Sequence, residues 1–121
     1  MFTGRAKKAS RMITETEYRM KIQATLERLE KAFDGVDPDI AEASIQFGAL
    51  TIVYGGTHKC ILSAQPSVRQ LWLALASQGT AVHFNWDAAQ EKWLDDKGLS
   101  IEVIQYLRDF FKKTIGQELP L

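Results

Sequence analysis

The sequence predicts an α+β fold, a two-layer sandwich in which an N-terminal and a C-terminal helix pack on one face of an antiparallel sheet of about five or six strands. Near both ends of the chain, apolar residues recur every three to four positions. Between these ends they alternate with polar residues and are interrupted by glycine turns. Since strands joined by tight turns form a meander, both helices are most simply buried on one face of it.

The first helix is predicted to begin at Thr14. Thr14 and Glu17 have the spacing of a capping box, and Ile13 precedes Tyr18 as in a hydrophobic staple. We expect the helix to end at Asp34-Gly35 and its apolar stripe to face the core. The stripe consists of Tyr18, Ile22, Leu26, Leu29 and Phe33.

The strands are predicted from alternation and from turn residues. The first two carry the alternating sets Ala43, Ile45, Phe47 and Leu50, Ile52, Tyr54, with corners at Gly48 and Gly55-Gly56. Three more strands are expected at about 59–63, 70–76 and 82–86, and a short sixth strand is expected around Trp93.

The last helix is predicted to be capped by Ser100, to carry Glu102 in its first turn and to stop at Gly116. Lys112 and Lys113 suit its last turn. Its broad apolar face consists of Val103, Ile104, Leu107, Phe110, Phe111 and Ile115. The folded domain is therefore expected over residues 14–116, preceded by a flexible basic segment over 1–13 and followed by a short tail over 117–121.

The composition excludes several classes of function. The chain has 121 residues, 45% of them hydrophobic, which is typical of one globular domain. Its 15 Lys and Arg residues balance 15 Asp and Glu residues, so net charge gives no reason to expect nucleic acid or an anionic membrane as a partner. The single cysteine, Cys60, excludes an internal disulfide or a CxxC site.

A series of carboxylates without histidine follows the first helix into the first strand. It consists of Glu15, Glu17, Glu27, Glu30, Asp34, Asp37, Asp39 and Glu42. Such groups suit Mg²⁺, Ca²⁺, Mn²⁺ or Fe²⁺ and select poorly among them, so any site would be weak and open. The alternative is a solvated helix face whose acids pair with interleaved bases. These bases are Arg19, Lys21, Arg28 and Lys31.

Two further candidates lie on strands. His58 and Cys60 share one face, the minimum for a thiolate activated by an imidazole, but without a third group we interpret Cys60 as a buried hydrophobe and His58 as a surface residue. Trp72 alternates with two leucines. If those leucines face the helices, Trp72 faces solvent beside Gln65 and Gln70, as a protein-binding anchor would. The alternative is a Trp72 covered by a partner face or by the N-terminal segment.

A set of motifs follows the acidic helix in a fixed order. It consists of Gln65-Pro66, Gln70-Leu71-Trp72-Leu73-Ala74, Gly79, His83-Phe84-Asn85-Trp86 and Trp93. Over residues 14–115 the chain resembles the frataxin family, including its bacterial branch. The resemblance implies an iron-binding accessory protein of iron–sulfur cluster assembly that docks on the cysteine desulfurase and its scaffold protein. It would modulate sulfur transfer, as an iron donor or sensor.

The resemblance also implies roles for particular residues. Weakly bound iron, as Fe²⁺ or Fe³⁺, is assigned to an acidic ridge that we define as Glu27, Glu30, Asp34, Asp37, Asp39 and Glu42. Scaffold contact is assigned to Gln65, Gln70, Trp72 and His83. No catalytic residue and no organic cofactor are expected. Alternatives are ferroxidase or iron-storage activity at the ridge, and an interaction module that handles no metal.

The family also sets expectations for assembly and location. A monomer is expected, with an iron-dependent oligomer as the alternative. The bacterial cytoplasm is the expected location; the basic start of the chain leaves the mitochondrial matrix as the alternative.

Overall fold

The computed structural model describes residues 13–121, so nearly all of the basic segment expected over 1–13 lies outside the described residues. In this described part, six strands lie along the chain between two helices, α1 (Glu15–Lys31) and α2 (Val103–Ile115). The strands are β1 (Ala41–Gln46), β2 (Ala49–Tyr54), β3 (His58–Gln65), β4 (Gln70–Leu75), β5 (Thr80–Asp87) and β6 (Lys92–Asp95).

The sheet is a six-stranded antiparallel meander in which every strand pairs with its neighbours in the sequence. Its inner face is apolar and fully buried at positions such as Ile52, Leu62 and Leu73. The two helices meet on that face, where the rings of Phe33 and Phe111 lie 5.2 Å apart, edge to face. The expected α+β sandwich with both helices on one face is confirmed.

Helix α1 begins as expected but ends earlier. The Thr14 side chain accepts the backbone N–H of Glu17, and the Glu17 carboxylate accepts that of Thr14, which completes the capping box. The whole predicted stripe is buried. The helix ends at Lys31 because the next residues tighten into three-residue turns, in which the Phe33 amide donates to the Glu30 carbonyl at 3.1 Å.

The prediction that Phe47 belongs to the first strand is wrong. Strand β1 ends at Gln46, and Phe47 stands fully exposed at the tip of the β1–β2 hairpin. The turn residues Phe47 and Gly48 both have positive φ, 53° and 75°. Two-residue hairpin loops require such angles because they match the twist of the flanking strands. The turn therefore interrupts the alternation that the sequence continues through Phe47.

The prediction that Ser100 caps the last helix is also wrong. Glu102 is the cap, and its carboxylate accepts the amides of Ile104 at 2.7 Å and Gln105 at 2.9 Å. Ser100 lies in a loop at φ 60°, and this loop is organised by the buried Asp95. The Asp95 carboxylate accepts three backbone amides, those of Lys97, Leu99 and Ile101. Gly116 ends α2 as predicted, with φ 69°.

Among residues 13–121, no helix lies on the outer face of the sheet, since α1 and α2 pack together on the opposite face. The register places Ala49, Ser63, Trp72 and His83 in one cross-strand row. Side chains on one strand alternate between faces, so this row points away from the buried leucines of β4. We call this face the open face.

Candidate functional site

The open face is centred on an aromatic stack. The rings of Trp72 and His83 lie 4.1 Å apart and nearly parallel, with an interplanar angle of 11°. Each residue is partly exposed. The predicted outward direction of Trp72 is therefore correct. The stack forms because the two residues are directly paired between β4 and β5, where opposed side chains come closest.

Hydrogen bonds hold this stack in place. The indole Nε1 of Trp72 donates to Gln70 Oε1 at 2.8 Å. The amide nitrogen of Gln70 donates in turn to Asn85 Oδ1 at 3.1 Å and to Asp96 Oδ2 at 3.3 Å. His83 Nδ1 lies 3.7 Å from the same Asp96 oxygen. We define these five residues, Gln70, Trp72, His83, Asn85 and Asp96, as the Trp72 surface.

Sequence reasoning found three members of the Trp72 surface and missed Asn85 and Asp96. Asn85 carried a signal, since alternation from His83 puts it on the same face. Asp96 carried no local signal, because it follows the last strand. It reaches the surface because its backbone amide donates to the His83 carbonyl at 2.9 Å. The fourth predicted contact, Gln65, lies at the border and donates weakly to Ser63 Oγ at 3.4 Å.

Tyr18 connects the open face to the helical layer. Its hydroxyl donates to the Gln70 carbonyl at 2.7 Å and accepts the Gln65 amide at 2.9 Å. Gln65 and Gln70 are opposed across β3 and β4, so one phenol bridges the two strands where they enter the turn. Burial raises the pKa of Tyr18, and the bond from Gln65 opposes that rise. The hydroxyl therefore stays protonated as a donor at neutral pH.

The acidic ridge is an open surface. All of its carboxylates except that of Glu30, which is half-buried, belong to exposed residues. Asp37 Oδ1 accepts the Asp39 amide at 2.9 Å, and Glu27 accepts the Gln23 side chain at 3.0 Å. Within residues 13–121 no three acidic, histidine or cysteine side chains come together as a ready-made metal site. The iron assignment thus stays a prediction of weak binding.

Two of the four bases that could pair with the acids, Arg19 and Lys21, contact groups outside the ridge. Arg19 pairs with Glu15 at 2.6 Å, more than two helical turns before the ridge begins at Glu27, and both side chains are largely exposed. The ammonium of Lys21 lies 5.0 Å from the ring centre of Trp86. Exposed pairs of this kind contribute little to stability. Within residues 13–121, none of the four bases forms an ion pair with a ridge carboxylate.

Cys60 is not an activated thiol. It is completely buried, and that burial raises its pKa to about 12. His58 is exposed and shares a 2.6 Å hydrogen bond with Ser77 Oγ. The interpretation of Cys60 as a core residue and of His58 as a surface residue is confirmed.

The fold and the Trp72 surface define a class: a two-layer α+β protein whose open sheet face carries a hydrogen-bonded aromatic stack. A model of the frataxin-like domain matches residues 11–117. The chain therefore belongs to the frataxin-like family. No helix of the described residues is both long and apolar enough to cross a membrane.

Similar proteins support this assignment. The iron–sulfur cluster assembly protein CyaY of Pseudomonas fluorescens strain Pf0-1 is 36% identical over 106 residues, which cover 88% of this chain and 93% of that protein. The CyaY protein of Tolumonas auensis is 28% identical over 107 residues, covering 88% and 97%. The frataxin of Psychromonas ingrahamii superposes with a TM-score of 0.75 over 88% and 96% of the two chains, at 19% identity. At that identity the likeness supports the fold alone.

Proposed function

We propose that this protein acts in iron–sulfur cluster assembly as a non-enzymatic regulator. It docks on the complex of a cysteine desulfurase with its scaffold protein and modulates sulfur transfer. The scaffold contacts the Trp72 surface, and a basic patch of the desulfurase faces the acidic ridge. The observation that carries the proposal is the Trp72 surface itself, a hydrogen-bonded aromatic stack on the open face, in a chain whose similar proteins are named for cluster assembly. Because those relatives are bacterial, we propose the bacterial cytoplasm as its location.

The Trp72 surface has the physical properties of a recognition site. Tryptophan supplies a large contact area, and partly exposed aromatic residues of this kind dominate the binding energy of protein interfaces. The indole is already fixed by His83 on one side and by Gln70 at its nitrogen. Ordering a side chain on binding costs about 0.5–1.5 kcal/mol, and a prearranged stack avoids most of that cost.

The acidic ridge supports electrostatic docking and weak iron loading. Its exposed carboxylates face solvent, where they raise the rate of encounter with a basic partner and where salt screens them. Carboxylate oxygens suit Fe²⁺, and water would complete the coordination of a cation held by one or two of them. Iron is then an exchangeable cargo of the ridge.

The test adds the purified protein to a cysteine desulfurase and its scaffold, and measures sulfide and cluster formation with and without Fe²⁺. Trp72→Arg is expected to abolish the effect on the rate while the domain stays folded, because Trp72 is not part of the buried core. Met20→Arg is the matched control. It introduces the same charge at an exposed apolar residue of the helical layer. An unchanged effect of the Trp72 variant on the rate would refute the assignment of the surface.

A second arm of the same assay addresses the ridge. Neutralising Asp34, Asp37 and Asp39 as asparagines is expected to weaken docking and to reduce Fe²⁺ binding in a direct titration. Glu91→Gln, outside the ridge, is the control. If the triple variant changes docking only as far as added neutral salt does, and iron binding is unaltered, the ridge acts by charge alone and carries no iron.

A further inference from the structure

Phe47 is an anomaly of this fold. Its side chain is fully exposed at the hairpin tip, and its backbone has the left-handed φ of 53°. Left-handed backbone is unfavourable for residues with bulky side chains, and asparagine followed by glycine is the preferred pair in such a turn. Phenylalanine at this position is therefore unfavourable both for the backbone and for solvation.

The register places Phe47 beside the row that leads to the aromatic stack. Gln46 pairs with Ala49, Ala49 with Ser63, and Ser63 with Trp72. With strands about 4.8 Å apart, the backbone of Ala49 lies roughly 10 Å from that of Trp72. The intervening side chains of Ala49 and Ser63 are small. The hairpin tip and the stack thus belong to one surface, and only small side chains lie between them.

The hairpin tip is also held rigidly. The carbonyl of Gly48 accepts the backbone amide of Ala64 in the neighbouring strand at 3.2 Å. This bond ties the turn to β3, the strand that pairs directly with β4 and Trp72. The ring of Phe47 is thereby presented from a fixed backbone, which lowers the entropy lost when a partner covers it.

We propose that Phe47 is a second anchor of the docking surface and inserts into an apolar cleft of the same scaffold protein that covers Trp72. This rests on the proposed function. A standard interface buries about 800 Å² on each partner, a patch roughly 30 Å across, so one partner spans both rings. The residues beside Phe47, Gln46 and Gly48, are uncharged. Burying the ring therefore removes no neighbouring charge from water.

The test is Phe47→Asn, which restores the preferred turn pair with Gly48. We expect the urea midpoint of the variant to rise, because asparagine tolerates the left-handed backbone better than phenylalanine does. We expect its affinity for the purified scaffold protein, measured by calorimetry, to fall on the order of 10- to 30-fold, as for loss of an interface hot spot. Phe47→Tyr keeps the ring and should bind within about threefold of the original protein. Met20→Gln, which removes an exposed apolar side chain from α1, should bind unchanged.

The outcomes separate this inference from the proposed function. Binding of Phe47→Asn equal to that of the original protein, while Trp72→Arg abolishes binding, would overturn the role of Phe47 and leave the proposed function standing. A tyrosine variant as weak as the asparagine variant would also overturn it, since the ring would then not be the anchor. If the original protein does not bind the scaffold at all, both proposals fall. A more stable Phe47→Asn that binds weakly supports the anchor, because misfolding cannot explain that combination.

Discussion

Replacing Tyr18 with phenylalanine removes one oxygen atom from the core and tests how the helical layer supports the Trp72 surface. The hydroxyl of Tyr18 makes two bonds, one to the Gln70 carbonyl and one from the Gln65 amide. Both belong to the strand ends that frame the β3–β4 turn. Without the oxygen, a half-buried carbonyl and a half-buried amide lose their partner together.

The magnitude follows from these two bonds. Each intramolecular hydrogen bond contributes about 0.5–1.5 kcal/mol, and a buried group left without a partner costs about 1–3 kcal/mol. Since water has some access at the turn, we expect a total loss of about 2–3 kcal/mol from the free energy of unfolding. For a urea dependence of about 1–3 kcal/mol per molar, the midpoint should fall by roughly 1–2 M.

The assay is equilibrium unfolding in urea, followed by tryptophan fluorescence and by circular dichroism. Tyr106→Phe is the matched control, because the Tyr106 hydroxyl makes no hydrogen bond within the described residues and its loss should change stability by less than about 0.5 kcal/mol. In hydrogen exchange, the Gln65 amide should lose protection only in the Tyr18 variant. Equal midpoints for the two variants would refute the reasoning and would mean that Gln65 and Gln70 satisfy each other directly.

Two further predictions concern single ionisable groups. Burial raises the pKa of Cys60 to about 12. Its thiol should therefore react with a disulfide reagent in the native protein only as fast as the domain unfolds. Labelling within seconds at neutral pH would contradict the buried site. Three backbone amides lower the pKa of Asp95, so its stabilising contribution is present above the ordinary pKa of an aspartate and is lost as the pH falls through the depressed folded-state value. In urea titrations, Asp95→Asn should therefore be less stable than the original protein at pH 7, and the difference in free energy of unfolding should narrow as the pH falls. A difference that stays constant with pH would show that the charge of Asp95 does not stabilise the loop.

Much of the fold could be predicted because the determining signals are local. The capping box at Thr14 and the stripe from Tyr18 to Phe33 involve residues within a few positions of each other, and the structure reproduces both. Phe47 was misplaced because alternation continues through it, while the backbone angle of the turn decides where the strand ends. Ser100 was misassigned as a cap because the sequence does not show that the loop around it is organised by Asp95.

The candidate site was predictable where it follows strand alternation and not where it depends on register. Trp72 was predicted from the alternation of its strand, whereas His83 was implied by the resemblance to the frataxin family. The stacking of the two rings depends on how β5 pairs with β4, and the contact of Asp96 with His83 depends on how β5 pairs with β6. The ridge carboxylates follow one another along α1, the turn after it and the start of β1. Sequence spacing does not determine whether the oxygens of exposed, flexible side chains converge on an ion.

The order of the strands has a consequence for how the chain folds during synthesis. Every ladder of the sheet joins neighbours in the sequence, so the strands can pair in the order in which they leave the ribosome. Helix α2, however, is made last. Its Phe111 packs against Phe33, just after the end of α1, and against Tyr54 of β2. Until α2 is made, the part of the inner face that α2 covers is exposed and offers apolar surface to other chains. The nascent protein is therefore most exposed to aggregation just before its final helix appears, and variants that weaken α2 should reduce its yield in cells more than its activity per folded molecule.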